Sequence, residues 1–260
     1  MKNNTKRNID ICFTPSMIDL FDLRLKKVVV IDVFRATSAM CVFLNNGGDR
    51  VFSLSKVEDA LKMKHNFSTE SFLFAAERNG SIVSGFDLGN SPLLYDGKNF
   101  DGISLAITTT NGTKAIEKSK KAGNGILLAS FLNISAVVDH INNVDNSDVL
   151  IVCSGWKGRF CIEDALLAGF LSQKLLENQE FYSNSDSVLM SNNLYDLSKK
   201  NLHNFLLKSS YKQRMDLDED IKYCLQVDIM RCVPIWSPIE SVQADNLYSG
   251  FFTSNEIKKT

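Results

Sequence analysis

The chain has 260 residues, 44% of them hydrophobic and 23% charged, proportions of an ordinary globular protein that exclude disordered, collagen-like and fibrous architectures. Lys and Arg number 29 against 30 Asp and Glu, a net charge of −1, so there is no basic field for a nucleic-acid backbone and no nucleic-acid partner is expected. A chain of this length buries a sizeable core without disulfide staples, and the expectation is one α/β domain over 1–260.

The basic stretch 1–7 leads into an apolar segment, 9–13, too short for a signal-peptide core, and no run reaches membrane-spanning length. The six cysteines, Cys12, Cys41, Cys153, Cys161, Cys224 and Cys232, form no C-x-x-C pair and mostly sit in apolar segments, as buried free thiols do. These features predict a cytoplasmic protein in a reducing compartment, without a membrane partner.

In chain order, the β-branched run 28–33 reads as a strand buried on both faces. Apolar residues at helical spacing over 36–46 follow, stopping at Gly47-Gly48 as a C-cap. The rhythm continues with a strand near 51–53, a helix over 55–66, strands at 71–76 and 103–109, a helix from Asn111 and a strand at 126–130. After these come a helix near 134–141, a strand at 149–153 and a helix over 162–176. Alternation of this kind predicts a three-layer α/β/α sandwich with a mostly parallel, at most mixed, central sheet. Beyond Glu177 a Ser/Asn-rich stretch, 182–193, reads as a polar surface insertion. Helical patterns near 194–207 and 219–226 and a closing strand near 229–234 complete the chain.

Ligands of open α/β sheets bind beyond the carboxyl ends of strands, and four such ends carry chemistry. In D-V-F-R-A-T-S, Asp32 ends a strand, and Arg35, Thr37 and Ser38 at a helix N-terminus suit a phosphate; they equally suit a capped helix with an internal Asp32–Arg35 pair. In E-R-N-G followed by G-F-D-L-G-N-S-P, Glu77 and Asp87 can approach one cation while Arg78 faces an anion, or the segment is an ordinary turn-rich loop. T-T-T-N-G-T-K offers Asn111 and Thr113 to phosphate oxygens without the spacing of a Walker loop. C-S-G-W-K-G-R-F-C-I-E-D sets Cys153 and Arg159 at the C-x5-R spacing of thiol-dependent phosphatases, and its Glu163-Asp164 pair either completes a metal site or favours the helix dipole. The three histidines, His65, His140 and His203, fall in predicted helices, away from these loops, so neither a histidine triad nor a zinc site is expected.

Taken together the segments resemble the 2-phosphosulfolactate phosphatase family, magnesium-dependent enzymes that make sulfolactate on the way to coenzyme M. The resemblance rests on DVFRATS (32–38), ERNGSIVSGFDLGNSP (77–92), TTNGT (109–113), ASFLN (129–133) and CSGWKGRFCIEDALLAG (153–169), with a weaker match from Asp220 through Cys224 and Asp228 to Val233-Pro234. GFDLGNSP is its most specific block. The chain departs from the family at Ala75-Ala76, where glycine tends to precede the glutamate, and in the 182–193 stretch.

The resemblance implies a Mg²⁺-dependent phosphomonoesterase acting on a small phosphorylated acid, 2-phospho-3-sulfolactate, and is compatible with a symmetric homo-oligomer. Asp32, Glu77 and Asp164 would then hold Mg²⁺. Arg35, Asn111 and Thr113 would grip phosphate, with Thr37, Ser38 and Asn90 in the same binding set. Arg78 or Arg159 would receive the carboxylate or sulfonate, and the metal or an acid such as Asp87 would activate water. Three other readings stay open at this point: attack by Cys153 with Arg159 as clamp and no metal, a phosphatase of another small hydroxy acid, and an anion-binding protein without turnover.

Overall fold

The computed structural model describes residues 6–66, 71–78, 80–144, 146–239 and 249–256. Its first half runs β1 (Arg7–Cys12), β2 (Lys26–Ile31), α1 (Ala36–Asn45), β3 (Arg50–Leu54), α2 (Val57–Asn66), β4 (Phe72–Arg78), β5 (Ser81–Ile82), β6 (Ser104–Thr108), α3 (Gly112–Ser119) and β7 (Ile126–Ala129). The second half runs α4 (Ile134–Val144), β8 (Asp148–Cys153), α5 (Ile162–Leu176), β9 (Phe181–Tyr182), α6 (Asp186–Ser198), α7 (Leu202–Leu206), α8 (Ser210–Arg214), α9 (Asp218–Cys224), β10 (Cys232–Pro238) and β11 (Gly250–Glu256).

These strands form one sheet in the order β5-β4-β6-β3-β11-β10-β7-β2-β8-β1-β9. It is mixed and mostly parallel. One parallel block is β4-β6-β3 and the other β7-β2-β8-β1-β9, and the antiparallel hairpin β10–β11 welds them together. The closing strand expected at 229–234 therefore lies three residues later and in the middle of the sheet. Pro234 and Pro238 disguise it, since proline removes a ladder donor; accordingly β10 meets β7 at a single register pair, Ile235 with Leu127.

Side-chain alternation along β2 explains why the sheet is covered on both faces. Val28 and Val30 join one core with residues of α1 and α3, whereas Val29 and Ile31 join the opposite core with residues of α4 and α5. Each such fully buried side chain contributes about 1.5–3 kcal/mol relative to exposure. A third cluster, around Phe52, Phe74 and Ala106, lies under α2. Helix α1 is buried from Ala36 to Leu44, as its all-round apolar sequence requires. It ends at Gly47, whose φ of 90° is open to glycine at little cost.

The 182–193 stretch is not a simple surface insertion. Its second half is the start of α6, which begins at Asp186 rather than near Leu194 and packs on α5. Small polar residues allow the helices to meet closely: Ser172 Oγ bonds Asn192 Oδ1 at 2.6 Å, and Ser172 and Ser191 are fully buried. A Cβ added at Gly169 would stand 2.1 Å from the Ser191 carbonyl oxygen. Gly169→Ala is therefore expected to destabilise the protein by about 1–3 kcal/mol through overpacking, read as a lower urea midpoint at unchanged m. An unchanged midpoint would show that the α5–α6 contact does not constrain this position. Among the described residues no helix is long and apolar enough to cross a membrane.

Candidate active site

Loops from both parallel blocks line one cleft of about 760 Å³. Asp32 and Arg35 come from the β2–α1 loop, Glu77 and Arg78 from the end of β4, Thr109, Thr110 and Asn111 from the β6–α3 loop, and Gly155 to Lys157 with Glu163 and Asp164 from β8–α5. Three antiparallel pairings separate the blocks, so formally their strands run in opposite senses. Sheet twist of about 20–25° per step, summed over the five steps from β6 to β2, rotates one block by roughly 100–125° and offsets much of that reversal.

The floor of the cleft is acidic and buried. Asp32 Oδ1 accepts the Ala36 N–H at 3.3 Å, and the Gly112 N–H also reaches this carboxylate. Asp164 ties two loops together: Oδ1 accepts from Val33 N at 3.0 Å and Oδ2 from Gly155 N at 2.9 Å. Glycine is required at both contacts. A Cβ at Gly112 would lie 2.8 Å from Asp32 Oδ2, and Gly155, at φ 59°, has the Arg159 carbonyl oxygen 2.3 Å from where a Cβ would be. Burial pushes the Asp32 carboxyl up to about 6, the Glu163 carboxylate adds to the shift, and the Ala36 and Gly112 N–H groups oppose it. Asp164 is raised well above the usual range by burial and then by the charges of Asp32 and Glu163. Burial raises Glu163 too, and its Oε2 has no hydrogen-bond partner among the described residues.

Among the described residues no three His, Cys, Asp or Glu side chains are grouped to hold a metal ion by themselves. The donors nevertheless fit magnesium. Mg²⁺ takes one or two carboxylates together with substrate phosphate and water rather than an all-protein cage, and carboxylates that bind metal are themselves braced by hydrogen bonds. Asp32 and Asp164, oriented by backbone N–H groups in a low-dielectric setting that disfavours their uncompensated charge, have that character.

Glu77, expected among the metal ligands, is differently employed. Its Oε1 receives Arg35 Nη2 at 2.5 Å and its Oε2 the Asn90 N–H at 3.2 Å. Arg35 Nη1 is held at 2.7 Å by Asp220 of α9, whose other oxygen accepts from Ser91 Oγ. Arg35 is thus a buried guanidinium fixed between two carboxylates, with further N–H donors on the cleft wall. Asn111 uses Oδ1 to accept the Lys157 N–H at 2.9 Å, which leaves its NH₂ group without a partner among the described residues. Asn90 lines the cleft with Oδ1 unpartnered among the described residues, as does Tyr211 with its hydroxyl.

Six expected residues are not brought to the cleft wall. Thr37 Oγ1 bonds the backbone N–H and C=O of Asp32, and Ser38 Oγ bonds the Val33 carbonyl, so both hydroxyls close their own turn. Thr113 Oγ1 donates to the Thr109 carbonyl while Thr109 Oγ1 accepts the Thr113 N–H; the pair caps α3 and it is Thr109 that faces the cleft. Asp87 accepts from Lys64 Nζ and Phe74 N, both at 2.9 Å, pinning its loop to α2 and β4. Cys153 is 1% exposed, and burial raises its thiol well above its ordinary value. Arg159 is exposed and serves through its backbone, closing a turn with Trp156. Asn79 of the E-R-N-G segment lies outside the described residues.

Conversely, the cleft gains Glu163, Trp156, Lys157, Tyr211 and Arg214. Glu163 had a signal as half of the acidic pair opening α5, and Trp156 and Lys157 lie in the same strand-end motif without a role assigned to them. Tyr211 and Arg214 belong to the five-residue helix α8, whose sequence carries no motif.

The chain is similar to known proteins over most of its length. The family model described as 2-phosphosulpholactate phosphatase matches residues 12–238. A protein of Caldanaerobacter subterraneus described as a "Probable 2-phosphosulfolactate phosphatase" is 40% identical over 220 residues, covering 82% of this chain and 88% of that one. Proteins given the same description in Thermotoga petrophila (36% over 212 residues, 80% and 88% covered) and Clostridium novyi (34% over 229 residues, 87% and 95% covered) are also similar. A match spanning the cleft-forming loops from β2 to α9 decides the matter: the chain belongs to the 2-phosphosulfolactate phosphatase family.

Proposed function

We propose that the protein is a Mg²⁺-dependent phosphomonoesterase that hydrolyses 2-phospho-3-sulfolactate to 3-sulfolactate and phosphate. The observation that carries this reading is the meeting, in one cleft, of buried carboxylates of raised pKa with a guanidinium fixed between two acids. Phosphoryl transfer demands positioning and charge stabilisation above all, and these groups supply both.

Asp32 and Asp164 are the residues that would hold Mg²⁺. When bound, the ion neutralises phosphate charge and polarises the phosphoryl group. Arg35, with the Asn111 NH₂ and the Thr109 hydroxyl, grips phosphate oxygens; its two carboxylate partners hold the fork rigid, so little conformational entropy is lost on binding. Glu163, buried and with Oε2 unpartnered among the described residues, takes the proton of the attacking water, the part first expected of the metal or of an acid such as Asp87. Arg78 on the rim meets a distal anion of the substrate.

The test is phosphate release from 2-phosphosulfolactate beside a panel of small phosphomonoesters in Mg²⁺ buffer. Selective release from the sulfonated ester is expected; release from none of them would leave an anion-binding protein as the better account. In the same assay Cys153→Ala is expected to keep activity within about twofold of the parent. A buried thiol of raised pKa is a poor nucleophile, and a loss of several orders of magnitude would restore the thiol mechanism.

A further inference from the structure

The mouth of the cleft is lined by the segment that follows α7, and that segment brings a second guanidinium, Arg214, whose charge acts on Glu163 at longer range and opposes the rise that burial causes there. Tyr211 packs on Phe34 with ring centroids 4.8 Å apart. Met215 reaches the opposite rim, its methyl 2.7 Å from where a Cβ at Gly80 would stand. Between them Arg214, half-buried, places its guanidinium carbon 3.9 Å from the centroid of the Trp156 ring, which also carries Lys157 Nζ at 4.8 Å. Arg214 has no hydrogen bond or ion pair to a carboxylate among the described residues, in contrast to Arg35. A guanidinium stacked on an aromatic face is fixed in its plane with its N–H fork open, a geometry that accepts two oxygens of one oxyanion.

Resting on the assignment of 2-phosphosulfolactate as substrate, we propose that Arg214, stacked on Trp156 and assisted by Lys157, forms a specificity subsite for an oxyanion of the substrate other than its phosphate. Two such groups exist, a sulfonate and a carboxylate, and both offer coplanar oxygen pairs to the fork. Helix α8 and the β8–α5 loop thereby select for polyanionic esters, while the phosphate end is read by Arg35 and the loops beneath.

Three esters separate the possibilities: 2-phosphosulfolactate, 2-phospholactate, which lacks the sulfonate, and isopropyl phosphate, which lacks both distal anions. Arg214→Ala is expected to raise KM for 2-phosphosulfolactate by about 10- to 100-fold more than for isopropyl phosphate, the range of a lost charge-assisted hydrogen-bond pair, whereas any change in kcat that comes from the lost charge beside Glu163 is shared by all three esters. An accompanying rise for 2-phospholactate assigns the subsite to the carboxylate, and its absence assigns it to the sulfonate. Arg214→Lys, which keeps the charge and loses the fork, should fall between. A uniform loss on all three esters would show that Arg214 merely supports the fold, and no loss on any would remove it from the site; either result overturns the proposal. Binding gives a second readout independent of turnover. The chain has two tryptophans, Trp156 and Trp236, so in a Trp236→Phe background 3-sulfolactate should shift Trp156 emission saturably, and Arg214→Ala should weaken that response about 10- to 100-fold. Should the parent hydrolyse none of the esters, the assigned function fails, and this titration still decides the subsite: an unchanged response in Arg214→Ala refutes it.

Discussion

Asp32→Asn is expected to lower kcat/KM for 2-phosphosulfolactate by about 10³-fold while leaving the folded protein intact. The amide is isosteric, so Oδ1 can still accept the Ala36 N–H. The other side-chain atom, however, becomes a donor facing the Gly112 N–H that now binds the carboxylate, and the site loses the charge placed to meet a cation. Removing one of several mutually repelling buried carboxylates relieves charge repulsion that is tolerated for function at the expense of stability, and this relief offsets the donor–donor contact left at Gly112. The thermal midpoint of the variant should therefore equal or exceed that of the parent in metal-free buffer. Phosphate release within tenfold of the parent would take Asp32 out of the reaction, and a collapse of the midpoint would show instead that its hydrogen bonds hold the β2–α1 loop together.

The residues that line the cleft divide by how local their signal is. Asp32, Arg35, Asn111 and Asp164 sit where a strand turns into a helix, and both the turn and the chemistry are written within a few residues of each other. The same loops show the limit of that logic. A hydroxyl at a helix start suits a phosphate and suits a cap equally well, and only the folded backbone decides that Thr37, Ser38 and Thr113 bond their own turns while Thr109 is left on the wall. Glu77 is a comparable case: its partner Arg35 lies 42 positions away, and Asp220, which completes the clamp, lies 185 from Arg35. Ion pairs at such separations leave no periodicity to read. Tyr211 and Arg214 come from a helix too short to show a 3.6-residue pattern, and the hairpin β10–β11 is paired through residues spread from Cys232 to Glu256, with prolines masking its first strand. What was legible, then, was the repeated strand-to-helix unit and the floor of the cleft; what was not was everything delivered to its mouth by long-range packing.

Chelation of divalent metal is expected to reduce phosphate release to background, and the accompanying loss of stability should depend on pH in a definite sense. In the metal-free protein the Asp32 carboxyl titrates at about 6, against about 3.9 for an aspartate in an unfolded chain. The folded state therefore binds the proton more tightly, and the contribution of this group to stability is fully present below about pH 4 and is lost as the pH rises through about 6. Burial and the neighbouring charges raise Asp164 and burial raises Glu163, which acts in the same direction. A cation bound by the ionised carboxylates reverses the sign, because it binds the folded state and competes with protons. At a hundredfold excess over its dissociation constant, Mg²⁺ would add about 2.7 kcal/mol, or roughly 5–10 °C in thermal midpoint for a chain of this size. The shift on adding Mg²⁺ should accordingly be large at pH 8 and small at pH 5, where protons occupy the same oxygens. Equal shifts at both pH values would place the cation elsewhere on the protein. Phosphate release that persists after exhaustive chelation would mean that Arg35, the Asn111 amide and the Thr109 hydroxyl carry the charge of the transition state without a metal, and that the buried acids serve only in proton transfer.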